Sequence, residues 1–203
     1  MAPEAVRFAN GQVTAGAKCI AFNALAQQAY QARVQLWSDG FYATPGLHWD
    51  RARLKGKPFY YFAYGAACSE VVIDTLTGEH KLLRADVLHD VGQSLNPAID
   101  IGQVEGAFIQ GMGWLTMEQL VWHPADGSAK AGLLMTHAPS TYKIPTANDC
   151  PAHFDVRLYD APNPADTIHR SKAVGEPPLL LPFSVLLAIR DAVSAVADRK
   201  SVV

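Results

Sequence analysis

The chain has 203 residues and a mass of 22.0 kDa, which is long enough to bury a core in one large domain or two small ones. With 49% hydrophobic and 18% charged residues and a mean hydropathy of +0.03, the composition excludes disorder as the dominant state. The formal net charge is −2 and the basic residues are scattered, so no nucleic-acid partner is expected.

The cysteines and the apolar runs bear on the compartment. The three cysteines are odd in number and widely spaced, so they form neither a CxxC metal site nor a complete disulfide framework, and we expect a reducing, cytoplasmic compartment. No stretch of about 18 uninterrupted apolar residues occurs, and the N-terminus has no positive region followed by an apolar core. We therefore expect no membrane insertion and no secretion.

A hairpin and a helix are predicted first. Residues 6–15 form the hairpin, because Asn10-Gly11 can adopt the positive φ angles of a tight turn. The helix begins at Asn23, which can serve as its N-cap, and ends before Asp39. Its apolar stripe comprises Leu25, Ala29, Ala32 and Leu36.

The central part of the chain reads as strands around an irregular segment. Residues 41–58 are rich in proline, glycine and charge, which predicts an irregular connection. Residues 59–75 and 79–91 carry aromatic and β-branched residues on both sides of a turn, which predicts a long antiparallel hairpin. Three shorter strands are expected around residues 119–123, 133–135 and 154–158.

Two further helices complete the predicted elements. In the first, Asn96 is the N-cap and Pro97 the first helical residue. Its apolar stripe comprises Ile101, Val104, Phe108, Met112 and Leu115, and each of its four glycines costs about 1 kcal/mol relative to alanine. Such a cost implies the close approach of another backbone or of a ligand. The second helix has Pro182 near its start and carries Val185, Ile189, Val193 and Val196 on one stripe. The alternation of hairpins with helices predicts an α+β fold.

Short motifs for common chemistry are missing from the sequence. The seven histidines include no i, i+4 pair on a helix and no HExxH, so no direct metal site is predicted. The sequence contains no GxSxG motif of a serine nucleophile, and its glycines match no nucleotide-binding fingerprint.

Two segments remain as candidates. Gln103 is placed in the first turn of the glycine-rich helix, where unpaired N–H groups would suit an oxo or phosphate ligand. The alternative is a helix packed closely against a neighbour. In the second segment, Gly175 frees the backbone before Glu176 and two prolines restrict the path after it. A carboxylate in this partly apolar setting would serve as a general base, or it would merely complement the dipole of the next helix.

These segments carry a family resemblance. SKAVGEPPLLLPFSVLLAIRDAV resembles the C-terminal part of the molybdenum-cofactor subunit in the xanthine dehydrogenase/aldehyde oxidase family. Further blocks resemble the same family in the same order, namely GFYATPGLHWD, YFAYGAACSEVVIDTLTGEHKLLRADVLHD, DVGQSLNPAIDIGQVEGAFIQGMGWLTMEQL and HAPSTYKIPT. Several long blocks in order are far more specific than one short motif.

The resemblance implies a fold and a set of site residues. Residues 1–203 would form the second, C-terminal lobe of the molybdenum-cofactor-binding domain, as a fragment of a longer catalytic subunit. Glu176 matches the family's general base beside the molybdenum, and Gln103 matches a cofactor contact. Ala173, Val174 and Gly175 match the stretch whose backbone passes close to the cofactor, and no residue is expected to bind the metal directly.

The resemblance also implies an activity and partners. It implies oxidative hydroxylation of a purine, from hypoxanthine to xanthine to urate, with Mo-molybdopterin as cofactor and FAD and [2Fe-2S] clusters on other parts or subunits. The partners would be the N-terminal remainder of the molybdenum subunit and an FAD/iron–sulfur subunit in a hetero-oligomer. The alternatives are an aldehyde oxidase-type or other N-heterocycle hydroxylase, or an inactive fragment that serves as an interaction module. The isolated fragment is expected to be inactive.

Overall fold

The computed structural model describes residues 3–197, which divide into two compact units between Gly46 and Leu47. The residues at both ends of the predicted 1–203 lobe therefore lie outside the described range. Each unit is considered by itself.

The first unit is a three-stranded antiparallel meander followed by a helix. After a 3-10 turn at Pro3–Ala5, the strands are β1 (Val6–Ala9), β2 (Gln12–Ala15) and β3 (Lys18–Ala21), and the helix is α1 (Phe22–Gln31). The turn between β1 and β2 has φ angles of 49° at Asn10 and 71° at Gly11, which confirms the predicted hairpin. The third strand was not predicted.

Helix α1 differs from its prediction at both ends. It follows β3 directly, so its N-cap position is Ala21 and not Asn23, and it ends at Gln31. The end is a Schellman motif: Arg33 has a φ of 58°, its N–H donates to the Tyr30 carbonyl at 3.0 Å, and the Val34 N–H donates to the Ala29 carbonyl at 2.9 Å. These bonds satisfy the last carbonyls and stop the helix. The end of the predicted stripe therefore lies beyond the helix and is exposed.

The second unit is built on a three-stranded mixed sheet. Its strands are β6 (Gly65–Ile73), β7 (His80–His89) and β8 (His153–Leu158), in the order β6-β7-β8. The predicted long hairpin is confirmed in β6 and β7, whereas β8 pairs with β7 in parallel. Residues 59–64 do not join the sheet. A short hairpin of β4 (His48–Asp50) and β5 (Lys55–Lys57) lies inside the predicted irregular connection.

Two helices cover the inner face of this sheet. They are α2 (Pro97–Thr116) and α3 (Phe183–Ala197), with a 3-10 turn at Pro177–Leu180 before α3. Asn96 caps α2 as predicted, and its side chain accepts a hydrogen bond from the Ile99 N–H at 3.4 Å. The two short strands expected around residues 119–123 and 133–135 are reduced to a single bridge between Trp122 and Leu134.

The core lies between the sheet and the two helices. Its buried members are Leu82, Ala85, Val87, Val104, Phe108, Met112 and Val185. The stripe predicted for α2 is thus confirmed, and Phe108 packs against Phe154 of β8 with ring centroids 5.3 Å apart. The stripe predicted for α3 is buried only in its first half, because Val193 and Val196 are more than half exposed.

One run among the described residues, 177–196, is long and apolar enough to span a membrane by length and composition. It includes the charged pair Arg190 and Asp191, and its helix buries Val185 in the core beside the sheet. Core helices of similar length and composition are mostly buried, whereas only 11% of this run is buried.

Candidate cofactor-binding site

The N-terminal half of α2 presents an open face. Its exposed residues are Ile99, Gly102, Gln103, Gly106 and Gln110, which share one side of the helix at spacings of three and four. A Cβ atom added at Gly102 or Gly106 would meet no described atom within 4 Å. The backbone of α2 is therefore accessible from this side.

The other two glycines of α2 are crowded. A Cβ atom at Gly111 would overlap the Leu179 carbonyl oxygen and lie 2.8 Å from Pro182 Cγ, and one at Gly113 would lie 2.5 Å from Pro145 Cδ. The predicted close approach is thus confirmed at Gly111 and Gly113. At Gly102 and Gly106 no described residue supplies it.

Gln103 is not in the first turn of the helix. It is the seventh residue of α2, so its backbone N–H lies within the helical ladder and the reasoning from unpaired N–H groups was wrong. The exposed side-chain amide remains, and it can both donate and accept hydrogen bonds.

The loop of residues 173–176 lies beside Gln103. A Cβ atom at Gly175 would be 3.4 Å from Gln103 Oε1, so the structure brings together two sites predicted separately. Glu176 is exposed and takes the N-cap position of the 3-10 turn Pro177–Leu180, without a capping hydrogen bond from its side chain. The described residues do not supply the apolar setting predicted for Glu176. The alternative role for Glu176 was to complement the dipole of the next helix. The element that follows it directly is a four-residue 3-10 turn and not an α-helix.

Ala173 and Val174 continue this loop. Ala173 is exposed, and its backbone N–H donates a hydrogen bond to the Tyr61 hydroxyl at 2.8 Å. Val174 is half-buried and packs against the hydrophobic core. The loop is therefore attached to the sheet side of the unit at its start.

Lys172 begins this attachment. Its ammonium group donates to Asp90 Oδ2 at 2.5 Å and to the Phe62 carbonyl at 2.9 Å, and it lies 5.6 Å from the centroid of the Tyr64 ring. The side chains of Lys172 and Asp90 are only 5% and 13% exposed. Sequence reasoning missed this pair, although a lysine directly before the AVGEPP segment was a signal.

The chain before Lys172 is held by unusual backbone geometry. His169 and Arg170 have φ angles of 53° and 56°, which residues other than glycine seldom adopt. The Arg170 carbonyl accepts hydrogen bonds from the N–H groups of Gln93 and Asn163 at 2.9 and 2.8 Å. Asn163 is 1% exposed, and these bonds compensate for the strain.

His89 is a second feature that the sequence did not indicate. It is 1% exposed, and neither ring nitrogen has a hydrogen-bond partner among the described residues. Burial lowers the pKa of His89 below its ordinary value, the Asp90 charge opposes this shift, and the Lys172 charge adds to it. The ring is thus held neutral near the Lys172–Asp90 pair.

Cavities and metal-ligand clusters do not mark the site. Two cavities of about 610 and 630 Å³ lie near the C-terminal end of α2, where Tyr142 and Met117 are among the lining residues. Within residues 3–197, no group of three or more His, Cys, Asp and Glu side chains is arranged to hold a metal ion. The candidate site is an open surface of α2 and the 173–176 loop.

Comparison with known proteins identifies the family. A family model described as a molybdopterin cofactor-binding domain matches residues 1–151. Xanthine dehydrogenase of Dictyostelium discoideum is 55% identical over 180 residues, which cover 87% of this chain and 13% of that protein. Xanthine dehydrogenase/oxidase of Rattus norvegicus is 53% identical over 175 residues, which cover 86% of this chain and 13% of that protein.

Solved structures share the fold. Quinoline 2-oxidoreductase from Pseudomonas putida 86 matches with a TM-score of 0.60 and 25% identity, over 97% of this chain and 24% of that chain. Aldehyde oxidoreductase from Desulfovibrio gigas matches with a TM-score of 0.60 and 23% identity, over 82% of this chain and 17% of that chain. The predicted α+β fold of a molybdenum-cofactor-binding lobe is confirmed.

The chain spans only 13% of the length of each of the two relatives. Its similarity to them nevertheless extends over most of its own residues, and the family model covers more than half of it. The chain therefore belongs to the molybdopterin cofactor-binding domain family and, within it, to the relatives of xanthine dehydrogenase.

Proposed function

We propose that this chain is the C-terminal cofactor-binding lobe of a cytoplasmic molybdenum hydroxylase and that it carries the general base, Glu176. The substrate class proposed is a purine, which the complete enzyme would oxidatively hydroxylate. The purine assignment is supported by the identity of 53–55% to xanthine dehydrogenases over most of the chain.

One juxtaposition carries the proposal. Gln103 Oε1 lies 3.4 Å from the Cβ position of Gly175, the residue before Glu176, and open space lies over Gly102 and Gly106 on the same face of α2. Glycine costs a helix stability unless close approach compensates, and no described residue approaches these two. A ligand that lies on the glycine surface and bonds to the Gln103 amide would supply this compensation, so the residues present fit a pterin cofactor.

Different residues of the chain would bind the cofactor and accept the proton. Gln103 and the backbone of Ala173, Val174 and Gly175 would hold the cofactor, which supplies the redox chemistry when bound. The Glu176 carboxylate is exposed beside this surface and would accept a proton as the substrate is hydroxylated. A positioned general base contributes about 10²–10⁴-fold in rate.

The proposal requires partners. The open face of α2 is one wall of a site, and its opposite wall would come from the N-terminal remainder of the molybdenum subunit. FAD and [2Fe-2S] clusters would be held by an FAD/iron–sulfur part or subunit in a hetero-oligomer, because the cysteines Cys19, Cys68 and Cys150 have no cluster-binding spacing.

Glu176→Gln in the complete enzyme tests the base. The amide fills the same space but cannot accept the proton, so we expect xanthine-dependent dye reduction to fall by about 10²-fold or more. Molybdenum content and melting temperature should stay unchanged. The measurements are turnover per bound molybdenum, metal analysis and a thermal melt.

Glu79→Gln is the matched control, because Glu79 is an exposed carboxylate at the turn between β6 and β7. It should retain full turnover. Near-normal turnover of the Glu176 variant would refute the base assignment. Comparison of xanthine with an aldehyde and with quinoline as substrates distinguishes the alternative hydroxylases, and a complete complex without molybdenum or turnover would favour an interaction module.

A further inference from the structure

We propose that Lys172 is a positioning residue and that its buried ion pair with Asp90 holds the 173–176 loop in the place from which Glu176 acts. The inference rests on the proposed function for its catalytic consequence. The position of the loop itself is a property of the described structure.

The geometry fixes Lys172 from several directions. Its ammonium group contacts Asp90 Oδ2, the Phe62 carbonyl and the face of Tyr64. Its backbone N–H donates to the Val91 carbonyl at 2.7 Å. Both ends of the residue are thus bonded to segments far from it in the sequence, and little freedom remains.

Asp90 is itself held in place. Its N–H donates to the Tyr64 carbonyl at 2.8 Å, and its Oδ1 accepts the Gly92 N–H at 2.9 Å. The segment just before β6 supplies two further contacts to the Lys172 ammonium group, the Phe62 carbonyl and the Tyr64 ring. Asp90 is therefore fixed at the end of β7, and its carboxylate fixes the Lys172 ammonium group.

The loop has a second anchor on its other side. After Glu176, the turn Pro177–Leu180 packs on α2, because its Leu179 carbonyl lies against Gly111, and Pro178 of this turn is buried. Between the two anchors lie only residues 173–176, held by the Tyr61 hydroxyl and by the packing of Val174. Without the side-chain bonds of Lys172, these contacts and its backbone bond to Val91 would remain, so the loop would be held more loosely beside Gln103.

Stability alone does not account for such a pair. Desolvation of two charges offsets most of their attraction, so a buried ion pair is often no more stabilising than apolar residues of similar volume. The pair instead fixes the position of the Lys172 side chain, because the ammonium group is bonded to a carboxylate and to a carbonyl at once. A displacement of about 1 Å at a reacting group can cost about 10²-fold in rate.

The test compares Lys172→Met with the double variant Lys172→Met/Asp90→Asn in the complete enzyme. The single variant leaves the Asp90 carboxylate buried and unpaired and should melt at a lower temperature. The double variant removes both charges and should regain most of this loss. In both, we expect kcat per bound molybdenum to fall about 10²-fold with KM for xanthine unchanged.

A readout independent of catalysis accompanies the kinetics. Hydrogen exchange of the Lys172 and Ala173 backbone amides, which donate to the Val91 carbonyl and the Tyr61 hydroxyl, should accelerate about tenfold in both variants when it is measured on enzyme freed of cofactor. Leu82→Ala is the control for thermal loss, because Leu82 is buried in the core at the opposite end of β7 from Asp90. It should lower the melting temperature without changing kcat or the exchange of this loop.

Recovery of kcat together with melting temperature in the double variant would show a purely structural pair and overturn the proposal. Unchanged exchange at the Lys172 and Ala173 amides, or faster exchange with normal kcat, would also overturn it. Failure of the proposed function is distinguishable, since it appears as a fully active Glu176→Gln enzyme. In that case the exchange data alone decide whether Lys172 holds the loop.

Discussion

His89 shows how one buried residue couples the site region to pH. Its ring is enclosed at the end of β7, where the Gly65 Cβ position would lie 2.8 Å from His89 Nδ1. Because burial lowers the pKa of His89, the folded chain binds fewer protons than the unfolded chain at pH values below the ordinary histidine pKa of about 6.5. Protonation therefore favours unfolding.

We expect the free energy of unfolding to decrease as the pH falls from about 6.5 towards the lowered pKa of His89. The slope attributable to this residue is at most about 1.4 kcal/mol per pH unit. His89→Leu should remove this part of the pH dependence, because leucine does not titrate. Urea unfolding of the chain between pH 5 and 8, followed by circular dichroism, measures the effect.

Leu82→Ala is the control, since Leu82 is buried in the core and does not titrate. It should lower the free energy of unfolding without changing its pH dependence. A His89→Leu chain with the same pH dependence as the original would show that the ring is solvated or paired in the folded state.

At the scale of elements, α2 uses its glycines in two different ways. Gly111 allows the turn Pro177–Leu180 to pack against the helix, whereas Gly106 faces open space. The same substitution at these two positions should therefore separate folding from cofactor binding.

Gly111→Ala should destabilise the chain by about 1–3 kcal/mol, because the added methyl group overlaps the backbone of Leu179. Gly106→Ala should stabilise it by up to about 1 kcal/mol through helix propensity. In the complete enzyme, however, Gly106→Ala should lower molybdenum occupancy, since the methyl group would occupy the surface proposed for the cofactor. Thermal melts and metal analysis of both variants provide the test.

Full molybdenum occupancy in the Gly106 variant would place the cofactor elsewhere. A Gly111 variant as stable as the original would show that the 3-10 turn can move away from α2 at no cost. In that event, the contact of this turn with α2 could not be regarded as the second anchor of the 173–176 loop.

At the scale of the whole molecule, much apolar surface remains uncovered. In the second unit, Leu180, Leu187, Val193 and Val196 are all more than half exposed. Exposed apolar side chains are typical of interfaces when they are numerous, and the proposed missing parts of the enzyme would cover them. Under the proposed function, the same partner would enclose a cofactor against the exposed face of α2.

The purified 203-residue chain should therefore contain no stoichiometric molybdenum, show no xanthine oxidation, and self-associate or bind a hydrophobic dye. A cofactor held by one wall loses the hydrogen bonds from the other, and each bond to a charged group contributes about 1.5–3 kcal/mol. Metal analysis, a dye-reduction assay and light scattering test this expectation. A monodisperse, molybdenum-loaded and active monomer would contradict it.

The sequence by itself determined the features that depend on neighbouring residues. The Asn10-Gly11 turn, the Asn96 cap and the buried stripe of α2 all follow from local backbone preference and helical period. The family blocks identified Glu176, Gln103 and the 173–175 stretch as site residues, and these roles stay predictions. Helix α1 was placed wrongly, because the apolar period continues past Gln31 while the backbone turns at Arg33.

Only the tertiary structure decided which of these features meet. An apolar period says which face of α2 is buried but not what lies on the other face, so the approach of Gly175 to Gln103 was not predictable. Lys172 and Asp90 are 82 residues apart in the chain, and their charges pair because the sheet and the loop pack against each other. The parallel pairing of β8 with β7 has the same origin, since strand order is set by packing between distant segments and not by the pattern within each one.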